Sequence, residues 1–421
     1  MSLPAIASGS PVRARPFPRW PEFDHREREA LRQVLESLTW GGYSPVVSEL
    51  ERRFARLHET PHGIACVNGT TALHAALAAA GVGPGDEVIV PPITFVATAA
   101  MVAMLGAIPV FADIDPRTHN LDPEAFSAAI TPHTRAVIPV HFAGQPANMD
   151  AICETAQQHG LAVIEDAAHA HGARWSDRSV GTFGLAATFS FQAFKLMTAG
   201  EGGMVLTRDA EMADRLRSFC NHGRRAGGEW YEHVTLGTNY RLTGLQAAVL
   251  LVQLERLQEH NDRREQNAQR LRRGLASSLG LEPLAVDQRV TTQTNYLMVL
   301  RYRPEGFRGL GRDGFVAAMN AEGIPVTPGY PYPLYRNPLF TGRALHPRDC
   351  PAGCLLCARG IDYARMALPA AEQACREAVW LEHQVLLGEP SDMDDVLQAV
   401  EKIRAGAELV KQAWAQRQAH A

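Results

Sequence analysis

A lysine beside a glycine-rich turn is the residue of this sequence with the clearest potential for covalent chemistry. Lys195 lies between a predicted strand that ends near Ser190 and the glycine-rich residues 200–203. A lysine in a partly desolvated site has a lowered pKa and can attack a carbonyl carbon to form a Schiff base. The alternative interpretation is an exposed loop lysine without a chemical role.

An acidic residue stands near the carboxyl end of another predicted strand. Asp166 follows the apolar residues 162–164, and the small residues Ala167 and Ala168 come directly after it. Small neighbours leave room for a flat ligand to approach the carboxylate. A capping or ion-paired acid is the alternative interpretation.

A third segment connects a predicted strand to a predicted helix. Gly69 permits a tight turn, and the amides of Thr70 and Thr71 would lie at the start of the helix. The free N–H groups and the dipole of such a helix end bind phosphate. A simple helix cap by Thr70 would explain the same residues.

These three segments together match the requirements of one ligand, pyridoxal 5′-phosphate. Its aldehyde condenses with a lysine, its phosphate needs a cradle of N–H groups, and a carboxylate keeps its pyridinium nitrogen protonated. The protonated ring then accepts the electrons that are released when a substrate C–H bond breaks. The combination therefore predicts a site for this cofactor.

The elements that must position these residues alternate between two periodicities. Apolar segments predict strands at 63–67, 87–90, 108–112, 136–140 and 162–164. Helical spacing predicts helices at 27–38, 71–80, 96–105 and 149–159. Such alternation predicts an α/β fold with a mostly parallel sheet, and ligands of these sheets bind outside the carboxyl ends of the strands.

The second half of the chain predicts a long helix and a smaller domain. Helical spacing begins at Leu242 and is expected to run on through the charged residues 260–273. A C-terminal domain then begins near Gly280, with a strand at 295–301 and helices near 312–321, 370–378 and 392–403. We expect an N-terminal arm with helices at 1–60, a large cofactor-binding domain at 61–278 and a small domain at 279–421.

Composition excludes several classes of protein. The 421 residues are 46% hydrophobic and carry a net charge of −4, which is typical of a globular protein and gives no reason to expect a nucleic-acid partner. The uncharged stretch from Val88 to Ala112 is long enough to span a membrane, but its prolines favour buried strands around a helix. Seven cysteines indicate reduced thiols, and we expect a cytoplasmic protein.

The chain resembles the DegT/DnrJ/EryC1/StrS family of sugar aminotransferases from about Trp20 to Ile403. The run 190–203, the segment 374–381 and the start Trp20-Pro21 are most similar to a branch that acts on keto-cyclitols. That branch includes scyllo-inosose aminotransferases and 3-amino-5-hydroxybenzoate synthase. The resemblance implies a fold-type-I transferase dependent on pyridoxal phosphate, with a mostly parallel central sheet, a smaller C-terminal α/β domain and active sites shared within a homodimer.

The resemblance also implies roles for individual residues. Lys195 matches the Schiff-base lysine that also moves the proton, and Asp166 matches the carboxylate on the pyridine nitrogen. His169 matches a catalytic position beside the ring, Phe95 stacks on the ring, and Asn239 reaches the phosphate from the neighbouring subunit. The full set of implied cofactor contacts is Gly69, Thr70, Thr71, Phe95, Asp166, His169, Ser190, Lys195 and Asn239.

Two tyrosines depart from the pattern of members that use nucleotide sugars. Such members commonly carry two histidines around a proline, whereas Tyr330 and Tyr335 stand here instead. A tyrosine can hydrogen-bond a polyol with its hydroxyl and pack on it with its ring, so both tyrosines are predicted to bind a smaller, unphosphorylated substrate. The alternative is that they pack the domain interface.

Three cysteines form a competing motif. Cys350, Cys354 and Cys357 have the spacing C-x3-C-x2-C, which iron–sulfur enzymes use to bind a cluster. The motif lies late in the chain in a Pro/Gly-rich segment, and no nearby histidine cluster supports zinc. We expect an inserted loop with incidental cysteines and no metal, while a cluster or a structural metal stays open.

The predicted function is a ping-pong amino transfer. Glutamine or glutamate would donate the amino group, and a keto-cyclitol or keto-sugar would accept it, in a pathway of the antibiotic type. A dehydratase or aromatising lyase on the same scaffold is the first alternative. A non-catalytic regulator is the second, although no segment resembles the DNA-binding module that it would require.

Overall fold

The structure is a computed structural model, and it describes residues 3–276, 278–342 and 359–419. Cys350, Cys354 and Cys357 lie outside the described residues. Among the residues that are described, no group of three or more His, Cys, Asp or Glu side chains has a metal-binding arrangement.

The helices and strands are numbered in chain order. The α-helices are α1 (His25–Ser37), α2 (Pro45–Leu57), α3 (Gly69–Ala79), α4 (Ala97–Met104), α5 (Pro123–Ala128), α6 (Met149–Gln158), α7 (Ala210–Cys220), α8 (Gly244–Leu275), α9 (Arg312–Ala321), α10 (Pro338–Thr341), α11 (Pro369–Glu377), α12 (Pro390–Ala405) and α13 (Ala407–Ala419). The strands are β1 (His62–Cys66), β2 (Glu87–Val90), β3 (Ile108–Phe111), β4 (Thr134–Val137), β5 (Ala162–Asp166), β6 (Arg174–Trp175), β7 (Arg178–Ser179), β8 (Ala186–Ser190), β9 (Gly203–Thr207), β10 (Leu281–Pro283), β11 (Val290–Thr292), β12 (Leu297–Tyr302) and β13 (Ala378–Glu382).

The centre of the molecule is a seven-stranded sheet with the order β1-β9-β8-β5-β4-β2-β3. The pairs from β8 to β3 are parallel, and β9 is antiparallel to both of its neighbours. The expected α/β fold with a mostly parallel sheet is therefore confirmed. Neighbouring residues of one strand serve different cores, because Val163 and Ile164 pack into separate apolar clusters on opposite faces.

The stretch from Val88 to Ala112 is buried inside this sheet. It forms most of β2, a loop, α4 and β3, as the interpretation of its prolines predicted. In the part of the chain that the structure describes, no helix is both long and apolar enough to cross a bilayer.

A second, three-stranded antiparallel sheet has the order β10-β12-β13. Its core includes residues of α9 and α12 together with Leu271 and Leu275 of the long helix α8. The N-terminal arm packs on this part of the molecule, since the amides of Ala5 and Val12 both donate to the buried carboxylate of Glu322. The predicted domain boundaries themselves stay predictions.

Two predicted strands end two or more residues away from their ends in the structure. The expected strand 136–140 is β4, which ends at Val137. The expected strand 162–164 continues to Asp166, because Asp166 still pairs with Thr188 of β8. Asp166 is therefore the last residue of a buried strand rather than part of a loop, and its side chain has a fixed direction.

Candidate active site

A cavity of about 580 Å³ lies at the carboxyl ends of the parallel strands. Seven of the residues that the sequence predicted for the site line it together: Gly69, Thr70, Phe95, Asp166, His169, Ser190 and Lys195. The structure thus brings together segments that are separated by more than 100 residues in the chain.

Asp166 is the buried carboxylate of the cavity. One of its oxygens accepts a hydrogen bond from the hydroxyl of Thr98 on α4 at 2.8 Å, and the other accepts one from the amide of Ala168 at 3.2 Å. Burial raises the pKa of Asp166, since these two hydrogen bonds offset only part of the desolvation of its charge. A cationic group placed in the cavity would stabilise the ionised form.

Lys195 follows β8 on a segment that other elements hold in place. Its backbone amide donates to the carbonyl of Gln192 at 2.8 Å, and the indole of Trp20 donates to the carbonyl of Ala193 at 3.0 Å. Burial lowers the pKa of Lys195 to about 8, against the opposing attraction of Asp166. A fraction of its amine is therefore unprotonated near neutral pH and can act as a nucleophile or a base.

The N-terminus of α3 opens on the same cavity. The interpretation that Thr70 caps this helix is wrong, because the cap is Asn68, whose side chain accepts from the amide of Thr71 at 2.8 Å. The hydroxyl of Thr71 is used in the reciprocal half of this capping box, and Thr71 does not line the cavity. The cap leaves Gly69 and Thr70 facing the cavity, and a helix start of this kind attracts anions.

Two glycines allow the chain to close around this helix end. A Cβ on Gly69 would lie 2.6 Å from the Cβ of Ser190. A Cβ on Gly203 would lie 2.3 Å from the carbonyl oxygen of Asn68. Both positions therefore require the absence of a side chain, because the neighbouring atoms are too close for a methyl group.

Three aromatic rings form a stack beside Lys195. The ring of His169 stacks on Tyr296 with centroids 4.1 Å apart, and His383 stacks on the same tyrosine at 5.8 Å. The Nζ atom of Lys195 lies 4.6 Å from the centre of the Tyr296 ring. The Nδ1 atom of His169 is buried without a hydrogen-bond partner, and burial holds the pKa of His169 well below its usual range.

Phe95 lies at the mouth of the cavity, on the loop between β2 and α4. Its side chain is 60% exposed, and that of Phe194 on the opposite loop is 61% exposed. Exposed apolar side chains that line one cavity form a surface that a ligand can cover. Their position fits aromatic contact with a flat ligand that enters between the loops.

A smaller cavity of about 230 Å³ adjoins the first and shares Lys195 and Tyr296 with it. Tyr330 lines this chamber, as does Trp380, and their rings make an edge contact with centroids 4.9 Å apart. The Nε1 atom of Trp380 is buried without a partner, and the carboxylate of Glu382 also faces the chamber.

Besides Thr71, two of the predicted residues line neither cavity. Tyr335 is fully buried beside Phe111, and its hydroxyl donates to Glu372 at 2.8 Å, so its ring and its polar atom are both used in packing. Asn239 is exposed on the segment after α7 and lines neither cavity. Of the two substrate-binding tyrosines that the sequence predicted, the structure brings only Tyr330 to the site.

The residues of the two cavities that were not predicted from the sequence include Tyr296, Trp380, Glu382 and His383. Tyr296 stands just before the apolar strand β12, and the other three lie on or after the apolar strand β13. Residues at the start or end of a strand are visible in the sequence, but which cavity they face depends on how the second sheet packs against the first. No local pattern carries that information.

The chain is similar to known aminotransferases in sequence and in structure. Residues 21–362 match the model of the DegT/DnrJ/EryC1/StrS aminotransferase family. An L-glutamine:2-deoxy-scyllo-inosose aminotransferase of Streptoalloteichus tenebrarius is 40% identical over 426 residues, which cover 95% of this chain and 97% of the relative. Its counterpart from Micromonospora echinospora is 39% identical over 422 residues, with 96% and 98% coverage.

The crystal structure of 3-amino-5-hydroxybenzoic acid synthase is similar with a TM-score of 0.81 and 36% identity, and the match covers 96% of this chain and all of that one. The predicted fold type and the predicted resemblance are therefore confirmed. A family match over most of the chain and relatives near 40% identity agree with the geometry of the buried lysine and carboxylate. The chain belongs to the DegT/DnrJ/EryC1/StrS aminotransferase family.

Proposed function

We propose that this protein is an aminotransferase dependent on pyridoxal 5′-phosphate, which transfers an amino group from glutamine to a keto-cyclitol by a ping-pong mechanism. The observation that carries the proposal is a buried lysine of lowered pKa in the same cavity as the buried carboxylate of Asp166. The relatives named above are glutamine-dependent enzymes for a keto-cyclitol, which supports this choice of donor and acceptor.

The residues of the cavity fit this cofactor. The start of α3, with Gly69 and Thr70, would hold the phosphate together with Ser190, whose side chain lies close to Gly69. Asp166 lies inside the cavity, where it would reach a ring nitrogen. Burial raises its pKa because it disfavours the charged carboxylate, so a cationic partner at this place would be stabilising. The unpartnered Nδ1 of His169 is a buried polar atom that a ligand in this cavity can satisfy.

When bound, the cofactor supplies a ring that accepts electrons from the substrate carbon. The chain supplies the acid–base groups around it. Asp166 keeps a negative charge where a protonated ring nitrogen needs one, and Thr98 holds the orientation of that carboxylate. Lys195 would carry the transferred proton at its Nζ atom. This atom lies over the ring of Tyr296, an apolar surface that supports the amine while it gives and takes the proton.

The smaller chamber supports a substrate without phosphate groups. Among the described residues that line the two cavities, Lys195 is the sole Lys or Arg. A nucleotide-linked sugar needs cations for its phosphates, whereas Glu382 presents a negative charge. Trp380 and Tyr330 offer N–H and O–H groups to ring hydroxyls, so the chamber favours a neutral or cationic polyol.

We also infer that two copies of the chain share their active sites. The segment after α7 exposes Trp230, Tyr231 and Leu236, at 76%, 78% and 91% of their surface. Three large exposed apolar side chains on one segment indicate a surface that a partner covers. Asn239 lies exposed at the end of this segment, where it is available to a cavity of a second copy.

Borohydride reduction tests the covalent role directly. The chain has only three lysines, Lys195, Lys402 and Lys411, so a reduced cofactor label has few sites to occupy. We expect the label on the peptide that contains Lys195 and none on the variant Lys195→Ala. Lys411→Ala, which removes a partly exposed lysine of α13, is the matched control and should label normally. A label on another lysine, or a colourless protein that does not bind the cofactor, would contradict the proposal.

Product analysis separates the amino transfer from its alternatives. Enzyme that holds the cofactor is mixed with glutamine and 2-deoxy-scyllo-inosose, and the products are identified by mass spectrometry. An amino-cyclitol is the expected product. Loss of water to give an unsaturated or aromatic product would favour the lyase, and no turnover of any ketone would favour a regulator.

A further inference from the structure

A fully buried arginine without an acidic partner lies on the far side of the lysine segment. Arg264 of α8 has no exposed surface, and among residues 3–276, 278–342 and 359–419 no carboxylate lies within ion-pair distance of it. Burial of a charge without a counter-ion costs free energy, so the hydrogen bonds of Arg264 must offset part of that cost. Each of its two terminal nitrogens contributes a hydrogen bond to a different chain of contacts.

The first chain runs through His383 to the residue before the lysine. The Nη2 atom of Arg264 donates to the Nδ1 atom of His383 at 3.2 Å. A guanidinium can only donate, so this contact leaves the proton of the imidazole on Nε2. That Nε2–H donates to the carbonyl of Phe194 at 3.0 Å.

The second chain runs through two residues to the end of β8. The Nη1 atom of Arg264 donates to the side-chain oxygen of Asn261 at 3.1 Å. The side-chain Nδ2 atom of Asn261 in turn donates to the backbone carbonyl of His171 at 2.9 Å. The Nε2 atom of His171 lies 2.9 Å from the carbonyl oxygen of Ser190. Because a carbonyl can only accept, Nε2 carries the proton and donates it. Both ends of the segment from Ser190 to Phe194 are therefore attached to one guanidinium.

We propose that Arg264 is a positioning residue: through His383 and Asn261 it fixes the segment 190–194 from both ends and so holds Lys195 in its desolvated place over Tyr296. The inference rests on the proposed function, in which that lysine is the reacting amine. It adds a residue that lines neither cavity and that acts on the lysine segment through its hydrogen bonds to His383 and Asn261.

The charged neighbours of both groups are few. Arg264 faces the carboxylate of Glu22 and the imidazole of His260, which contact each other at 3.4 Å, besides the two histidines of the chains. Burial lowers the pKa of His171 to about 3, and Arg264 adds to that effect, so both histidines stay neutral and keep the tautomers that the chains need. Lys195 faces Asp166, three histidines (His169, His171 and His383) and the ring of Tyr296.

The test measures the reactivity of Lys195 without any turnover. The full-length chain, freed of cofactor, is treated with an amine-reactive label between pH 6 and 11, and mass spectrometry follows the peptide that contains Lys195. In Arg264→Met the segment relaxes and the amine gains water, so its pKa rises from about 8 towards the ordinary value. If the pKa of Lys195 rises by one unit, labelling at pH 8 falls about fivefold. The matched control Arg263→Met removes an exposed arginine of the same helix and should label as the wild type does.

Two variants of His383 keep the test decisive if Arg264→Met does not fold. His383→Gln retains an acceptor for Arg264 and a donor for Phe194, whereas His383→Leu retains neither. We expect His383→Leu to shift the labelling profile and His383→Gln to restore most of it. Equal profiles for the two variants, or an unchanged profile in a folded Arg264→Met, would overturn the inference. A wild-type chain that binds no cofactor would defeat the proposed function instead, and the labelling result would still stand.

Discussion

Two neighbouring carboxylates on β5 lie on opposite faces of the same sheet and have opposite properties. Glu165 accepts hydrogen bonds from the backbone amides of Gly181, Phe183 and Gly184 and from the Nε2 atom of His141 at 3.1 Å. Burial would by itself raise the pKa of Glu165, but hydrogen bonds and attraction from His141 and the amides outweigh it and lower the pKa.

Asp166 is equally enclosed but has fewer donors. Thr98 and the amide of Ala168 are its hydrogen-bond partners, and burial raises its pKa. A strand points successive side chains to opposite faces, so one carboxylate enters the packed interior and the other enters the cavity. A buried acid whose hydrogen bonds are complete stabilises the fold, whereas one with few donors is ready to bind a cation.

The largest expected effect comes from neutralising the acid of the cavity. Asp166→Asn keeps the shape of the side chain but removes its charge, so kcat/KM for amino transfer should fall about 10³-fold. Steady-state kinetics measure the loss, and thermal unfolding should show that the fold survives. Asp262→Asn, an exposed acid of α8, is the matched control. Activity near that of the wild type would contradict a functional role for the charge of Asp166.

Replacing the other acid should affect stability first. Glu165→Gln places an amide NH₂ among four groups that all donate, so the free energy of unfolding should fall by about 3 kcal/mol. Urea denaturation of the cofactor-free chain measures this value. Glu154→Gln, exposed on α6, should leave it unchanged. A Glu165→Gln protein as stable as the wild type would mean that the hydrogen bonds of Glu165 contribute little.

The two acids should also respond to pH in opposite directions. The folded-state pKa of Glu165 is lowered, so its stabilisation is present above its ordinary value of 4.5 and is lost as the pH falls through the folded-state value. The folded-state pKa of Asp166 is raised, so its ionisation costs stability as the pH rises. From pH 3 to 7 the wild type should therefore gain stability relative to Glu165→Gln and lose stability relative to Asp166→Asn. Parallel curves for the two variants would contradict the assignment.

The smallest expected effect sharpens the comparison at one hydrogen bond. Thr98→Val removes the hydroxyl that donates to Asp166, which leaves the ionised acid less stabilised, and kcat/KM should fall about tenfold. Thr94→Val removes the hydroxyl that contacts Thr98 at 2.8 Å but not the one at the carboxylate, so its effect should be smaller. Equal losses in the two variants would indicate that general packing, rather than the contact with Asp166, is responsible.

The central sheet and the centre of the site follow from local patterns in the sequence. The apolar strands are short and distinct, and Lys195, Asp166 and Gly69 each stand beside the end of one, where a parallel sheet collects its functional groups. Their meeting in one cavity was therefore predictable. Tyr335 was not, because a tyrosine can face a cavity or fill a core and only the packing around Phe111 decides which.

Helix α8 shows where local patterns fail. The sequence predicted only that the long helix continues through the charged residues 260–273, yet His260, Asn261, Arg264 and Asn267 are all buried. They are enclosed because the segment that follows β13 and the segment around Trp20 pack against this part of the helix. Contacts between residues 100 or more positions apart leave no local mark in a single sequence, so neither these residues nor His383 could be assigned in advance.

The two crowded glycines, Gly69 and Gly203, have a consequence for how this site can change over evolutionary time. The contacts at Gly203 are with main-chain atoms of Asn68 and Gly69, so no side chain exists there that could be trimmed or enlarged to adjust the opening. Point mutations can change the aromatic chamber residue by residue, but the close contact at Gly203 cannot be adjusted in this way. This is the end of the cavity that we propose holds the phosphate. We therefore expect diversification of such a protein to alter which ketone it accepts long before it alters the group it anchors.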